Sequence, residues 1–109
     1  MKLTKVIGIV SYLPDDPVLR EIRKRKVSET IYQCICIFKL PIIVIAQNWK
    51  DFNFYGDNVT IVRYDKPLGI TGARLALRNY FLDNTTYDYL IMFDDDEVIV
   101  GDSKAGTKF

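Results

Sequence analysis

Apolar positions along the chain fall into short continuous runs separated by longer segments with a helical period. Lys5 to Tyr12 (KVIGIVSY) is almost unbroken in apolar character and rich in β-branched residues. A strand buried on both faces has that pattern. Leu13-Pro14-Asp15-Asp16-Pro17 interrupts it. Asp15 or Asp16 is suited to cap a helix, with Pro17 in the first turn. From Val18 to about Lys39 the apolar residues Val27, Ile31, Cys34, Ile35 and Phe38 recur at spacings of three and four, which predicts a helix with one inward face. Arg20, Arg23, Lys24, Arg25 and Lys26 crowd its first half and read as a solvated face, with contact to an anionic partner as the alternative.

Pro41 ends that helix, and Ile42 to Ala46 predicts a second buried strand. Gln47 to Asp57 is a polar and aromatic loop, and Val59 to Tyr64 a third strand. After the loop Asp65 to Gly69, a second helix is expected from Thr71 to Leu82, with Ala73, Ala76, Leu77, Tyr80 and Phe81 facing inward. Tyr89 to Phe93 is the fourth strand, and Asp94-Asp95-Asp96-Glu97 ends it abruptly. Val98 to Val100 suggests a short further strand, and 101–109 is a polar tail without periodicity. Buried strands alternating with helices predict one α/β layered domain over 1–109, with a mainly parallel sheet. Ligands bind beyond the carboxyl ends of the strands in such sheets. Ser11 to Asp16, Gln47 to Asp51 and Asp94 to Glu97 are the polar segments placed there.

Composition narrows the chemistry. With 49% hydrophobic and 27% charged residues the chain is ordinary globular protein, not a disordered segment. Fifteen basic against fourteen acidic residues give a net charge of +1, so a strongly basic nucleic-acid binder is not expected. There is no histidine, which excludes His-ligated zinc and Ser-His or Cys-His pairs within this chain. A general base would have to be a carboxylate, Lys, Tyr or Cys. Cys34 and Cys36 lie two apart on a helix and do not face one another. They read as small buried or half-buried thiols of a reducing, cytoplasmic protein. The apolar runs Val6 to Val10 and Pro41 to Ala46 fall far short of the ~20 residues of a membrane span.

The acidic run after the fourth strand is the strongest chemical signal. Crowded like charges are costly and are more easily kept around a cation. In an extended chain Asp94 and Asp96 leave on one face, as oxygen ligands suited to Mg²⁺ or Mn²⁺, and Asp95 points away. A solvated acidic turn without metal is the plain alternative. The second signal is Lys66-Pro67-Leu68-Gly69-Ile70-Thr71-Gly72-Ala73-Arg74, which joins a strand to a helix. Its glycines permit close backbone approach, and the helix start and Arg74 attract anions. Neither G-K-[ST] nor G-x-G-x-x-G is present, so it is not a Walker A or dinucleotide fingerprint.

Leu68-Gly69-Ile70-Thr71-Gly72-Ala73-Arg74 followed by Tyr89-Leu90-Ile91-Met92-Phe93-Asp94-Asp95-Asp96 resembles the GT-A glycosyltransferases, closest to the family 2 type. In many of these a glycine precedes Ala-Arg at a helix start, and an apolar strand then runs into D-x-D. The likeness extends over about residues 5–100. It implies a Rossmann-like three-layer sandwich, a truncated GT-A fold that binds a nucleoside-diphosphate sugar, with a UDP-sugar favoured, and transfers the sugar to an unknown acceptor. By the same likeness Asp94 would meet ribose or metal, Asp96 would bind Mn²⁺ or Mg²⁺, Arg74 would lie near diphosphate or base, and Ser11 and Tyr12 would flank the nucleoside. The family's acidic run after the second strand is replaced by Gln47-Asn48-Trp49-Lys50-Asp51. Asn48 or Asp51 would substitute for it, and Trp49 would either stack on a ring or pack in the core. GT-A domains are about twice this length, so the chain is expected to be the nucleotide-sugar-binding half. Its uncovered sheet edge then favours a homodimer. A nucleotide- or partner-binding module without catalysis is the main alternative, and a receiver-like domain a lesser one.

Overall fold

The computed structural model describes residues 4–94. Asp95, Asp96, Glu97, the strand expected at Val98 to Val100 and the tail 101–109 lie outside the described residues, and the side chain of Asp94 is likewise not described. Within these bounds the order is β1 (Lys5–Tyr12), α1 (Pro17–Phe38), β2 (Ile42–Gln47), β3 (Val59–Tyr64), α2 (Gly69–Asn84) and β4 (Tyr89–Asp94). The strands form one sheet in the order β3-β2-β1-β4, parallel at every pairing. The chain has an α/β fold with an all-parallel sheet, compatible with a Rossmann-like arrangement.

The sheet is covered on both faces. Val27, Ile31 and Cys34 of α1 pack on Ile7, Ile9, Ile42 and Val44. Ala73 and Leu77 of α2 pack on Val6, Ile43 and Ile45 on the other face. Alternate residues of β1 and β2 therefore serve opposite layers, and every residue of β2 is buried. This explains their continuous apolar runs. Gly8 lets α2 sit close, since a Cβ there would stand 2.5 Å from Leu77 Cδ2.

Asp16 caps α1, its Oδ1 accepting from Val18 N (2.9 Å) and Leu19 N (3.0 Å), and Pro17 occupies the first turn. Lys39 ends α1 in the left-handed region, at φ 53°. Of the two thiols, Cys34 is buried but Cys36 is exposed. The expectation that both are sheltered therefore fails for Cys36, because residues two apart lie on different sides of a helix.

β2 and β3 are parallel neighbours joined without a helix. A parallel connection must cross back over the sheet, and a helix usually does this. Here the loop 48–58 takes that place, with Trp49 in the α1-side core and Phe52 and Phe54 packed against it. Arg63 fastens the loop, donating to the carbonyls of Trp49 (2.8 Å) and Phe52 (3.1 Å).

Candidate functional site

β1 has β2 on one side and β4 on the other, so the chain reverses its direction of travel across the sheet at β1. The crevice outside the carboxyl ends at such a switch point is the favoured ligand site of an open parallel sheet. A cleft of about 510 Å³ opens there. Val10, Ser11 and Tyr12 of β1 and Gln47 of β2 line its floor, with Pro67, Gly69, Ile70, Ala73 and Arg74 on the α2 side and Arg23 of α1. The register sets Asp94, the last residue of β4, beside Val10. A second cleft, of about 570 Å³, lies at the amino ends of the strands between β2, β3 and the end of α2. That is the end of a parallel sheet that ligands do not favour.

The start of α2 is built for close approach. Gly69 has φ +76° with nothing within 4 Å of a Cβ position, so its backbone conformation, not space, calls for glycine. Leu68 at the N-cap supplies no side-chain hydrogen bond, and the first turn holds no acidic residue. The first N–H groups of α2 thus carry the positive end of its dipole without a side-chain cap. Gln47 fixes this start from below. Its Nε2 donates to Ser11 O (3.0 Å) and its Oε1 accepts from Leu68 N (2.7 Å).

The sequence-derived site residues separate into two groups. Ser11, Tyr12 and Arg74 line the cleft, and Asp94 ends the neighbouring strand. Ser11 is buried, its Oγ accepting from Trp49 Nε1 (3.1 Å). Tyr12 is partly open, at 39%. Asn48 and Asp51 are not among the lining residues and are engaged elsewhere. Buried Asn48 has φ 62°, and its amide donates to Leu13 O (2.7 Å) and Asp15 Oδ1 (2.9 Å). Asp51 accepts from Arg20 Nε (3.0 Å) and Nη2 and from Lys24 Nζ (2.8 Å). These bonds, Arg20 first and then Lys24, hold its carboxyl well below the usual carboxylate range. The same contact with Asp51, followed by that with Glu21, raises the pKa of Lys24. Trp49, left open between stacking and packing, is 2% exposed and meets Phe52 edge-on at 4.8 Å between ring centres. It is a core residue.

The basic stretch of α1 is not one solvated face. Arg20 reaches Asp51 and the carbonyls of Leu13, Pro14 and Asn48, Lys24 joins it at Asp51, and Arg23 lines the cleft. Arg25 and Lys26 are exposed, as expected. The sequence placed Gln47 in a polar segment at this end of the sheet without giving it a role, and it did not single out Arg23 as a lining residue of the cleft. A polar residue ending a fully buried strand was the available signal for Gln47. No local signal separates Arg23 from its basic neighbours.

Among the described residues no group of three or more His, Cys, Asp or Glu side chains is arranged to hold a metal, and Asp95 and Asp96 lie beyond them. No described helix is long and apolar enough to cross a membrane. Comparisons with family models, curated proteins and solved structures gave no match.

Proposed function

We propose that this chain binds a nucleoside-diphosphate sugar, a UDP-sugar for preference, in the cleft between β1 and the start of α2, as a glycosyltransferase-like unit. The observation that carries this is the uncapped start of α2 meeting Arg74 and Tyr12 at the switch point of a parallel sheet. Dipole, guanidinium and flexible glycine backbone suit a diphosphate, and the half-open Tyr12 ring suits a nucleoside. Asp94 and Asp96 would hold Mn²⁺ or Mg²⁺. Their carboxylate oxygens are ligands of the right hardness, and the backbone of Asp94 is beside the cleft floor. When bound, such a cation supplies countercharge for the leaving diphosphate. β3 and β4 each pair on one side only among the described residues, which supports association of two copies by a sheet edge.

A binding module without catalysis would make the same donor contacts and differs only in a donor-hydrolysis assay. The receiver-like alternative requires the order 2-1-3-4-5, which the described strands do not follow. Calorimetry with UDP, with and without Mn²⁺, tests the proposal. UDP should bind more tightly with Mn²⁺, and Asp96→Asn should weaken the metal-assisted part more than Asp95→Asn. Affinity indifferent to chelator, or equal effects at the two positions, would contradict the metal assignment. Absence of UDP binding would overturn the proposal.

A further inference from the structure

The cleft at the amino ends of the strands, about 570 Å³, falls in the range of about 300–1,000 Å³ of small-molecule sites. Its lining, not its place in the sheet, gives it a chemistry. Val6 and Ile43 form its buried floor. Tyr80, near the end of α2, and Tyr87, before β4, are half-buried and pack against the same core, so each offers a ring with a hydroxyl at its tip. The rim is polar and exposed. Asn58 and Thr60 stand at the start of β3, Asp83 and Asn84 in the last turn of α2, and Thr86 just beyond it. Thr85 spends its hydroxyl on Phe81 O (2.6 Å), whereas none of these rim side chains forms a hydrogen bond or an ion pair with a described residue. The described lining holds one carboxylate and no Lys or Arg. The last turn of α2 has no basic residue, so the negative end of its dipole adds to the charge of Asp83. Anions are disfavoured in such a field.

We infer that this amino-end cleft binds a neutral saccharide. A sugar ring carries hydroxyls that both donate and accept, and an apolar face of C–H groups. The amides of Asn58 and Asn84 and the hydroxyls of Thr60 and Thr86 are matched to such two-way groups. Asp83 accepts hydroxyl protons on either oxygen as charge-assisted hydrogen bonds. The rings of Tyr80 and Tyr87 supply apolar surface for the C–H face. The inference does not depend on the donor cleft, which opens at the other end of the strands, nor on anything bound there.

The test follows amide chemical shifts of the whole chain during titration with the methyl glycosides of glucose, galactose and mannose, N-acetylglucosamine, glucose 6-phosphate and choline. At least one neutral sugar should bind saturably and move the amides of Thr60, Asn84, Thr86 and Tyr87, with Gly69 and Arg74 at the other cleft unmoved. Glucose 6-phosphate should bind more weakly than the best neutral sugar. Asp83→Asn should weaken that sugar about tenfold or more, the scale of a hydrogen bond to a charged group, and Asn84→Ala should weaken it severalfold. Both positions are exposed, so the spectra elsewhere should stay those of the wild type. Asn79→Ala, which removes the same amide from an exposed position of α2 outside the lining, should leave sugar binding unchanged. Four results would each overturn the inference: no saturable binding of any neutral sugar, tighter binding of choline or glucose 6-phosphate, equal effects of Asn84→Ala and Asn79→Ala, or shifts at Gly69 and Arg74 instead. If a sugar moves the amino-end amides while UDP does not bind at all, the inference stands and the proposed function falls.

Discussion

On the α1 side of the sheet's carboxyl end, Asp16 caps the helix, Trp49 fills the space beneath the loop 48–58, and Arg20 and Lys24 both bind Asp51. On the α2 side, Leu68 gives no cap, Gly69 sits at positive φ, and Arg74 lines a cleft that Arg23 of α1 also lines. Both sides belong to the same parallel sheet and begin from similar strand exits. The difference lies in where polar groups find partners. Among the described residues no buried side-chain nitrogen or oxygen lacks one, and the dense bonding of Asn48, Gln47 and Arg20 keeps the α1 side closed. A closed, matched side gives rigidity. The α2 start has no side-chain cap, and it is held from the closed side through Gln47.

The largest expected effect comes from opening the closed side. Trp49→Ala removes a buried ring and its bond to Ser11 Oγ, and should cost about 3–5 kcal/mol in denaturant unfolding. A loss below about 1 kcal/mol would mean that the loop 48–58 is not part of the core. On the open side, Arg74→Ala should leave unfolding nearly unchanged. It should weaken diphosphate binding by about 1.5–3 kcal/mol and nucleoside binding much less. Equal losses for nucleoside and diphosphate would make Arg74 structural.

The helix starts can be exchanged. Asp16→Ala should cost about 1 kcal/mol of stability and spare diphosphate binding. Leu68→Asp places a carboxylate at the uncapped start, so it should change stability by no more than about 1 kcal/mol while weakening diphosphate binding. If both variants weaken binding alike, the two helix starts are not distinct.

The smallest effect is the acid limb. Asp51 has its folded pKa lowered by Arg20 and Lys24 from an ordinary 3.8. Its contribution is present above that value and is lost as pH falls through the lower folded pKa. Unfolding midpoints should therefore fall less steeply below about pH 4 for Asp51→Asn than for wild type. Asp51 itself is exposed to solvent, so the difference should be small and shrink with salt. Lys24, with its pKa raised, contributes below its unfolded value and loses that contribution only at strongly alkaline pH. Identical acid limbs would show that Asp51 is not coupled to folding.

The elements were legible because periodicity records burial directly. β2, buried at every position, reads as an unbroken apolar run. The α1 stripe of Val27, Ile31 and Cys34 lies at helical spacing, and Asp16 with Pro17 marks its start. The lining of the candidate cleft was only half legible. Ser11, Tyr12 and Arg74 follow from strand exit and helix start, both local properties. Asn48, Trp49 and Asp51 could serve a ligand or the protein itself, and only the path of the loop 48–58 over the α1 face decides between them. The same path takes Arg20 and Lys24 out of the charge pattern and leaves Arg23 at the cleft, a tertiary outcome that helix spacing does not encode.

The proposed site puts a nucleoside diphosphate on the α2 side of the sheet and not at the capped helix. Amide chemical shifts followed during titration with UDP and Mg²⁺ test it most directly. Changes should concentrate at Tyr12, Gly69, Ile70, Thr71 and Arg74, with the amides of Val18 and Leu19 at the capped start of α1 unmoved. Changes centred on Val18 and Leu19, changes confined to the amino-end cleft around Tyr80 and Asp83, or no changes at all would contradict it.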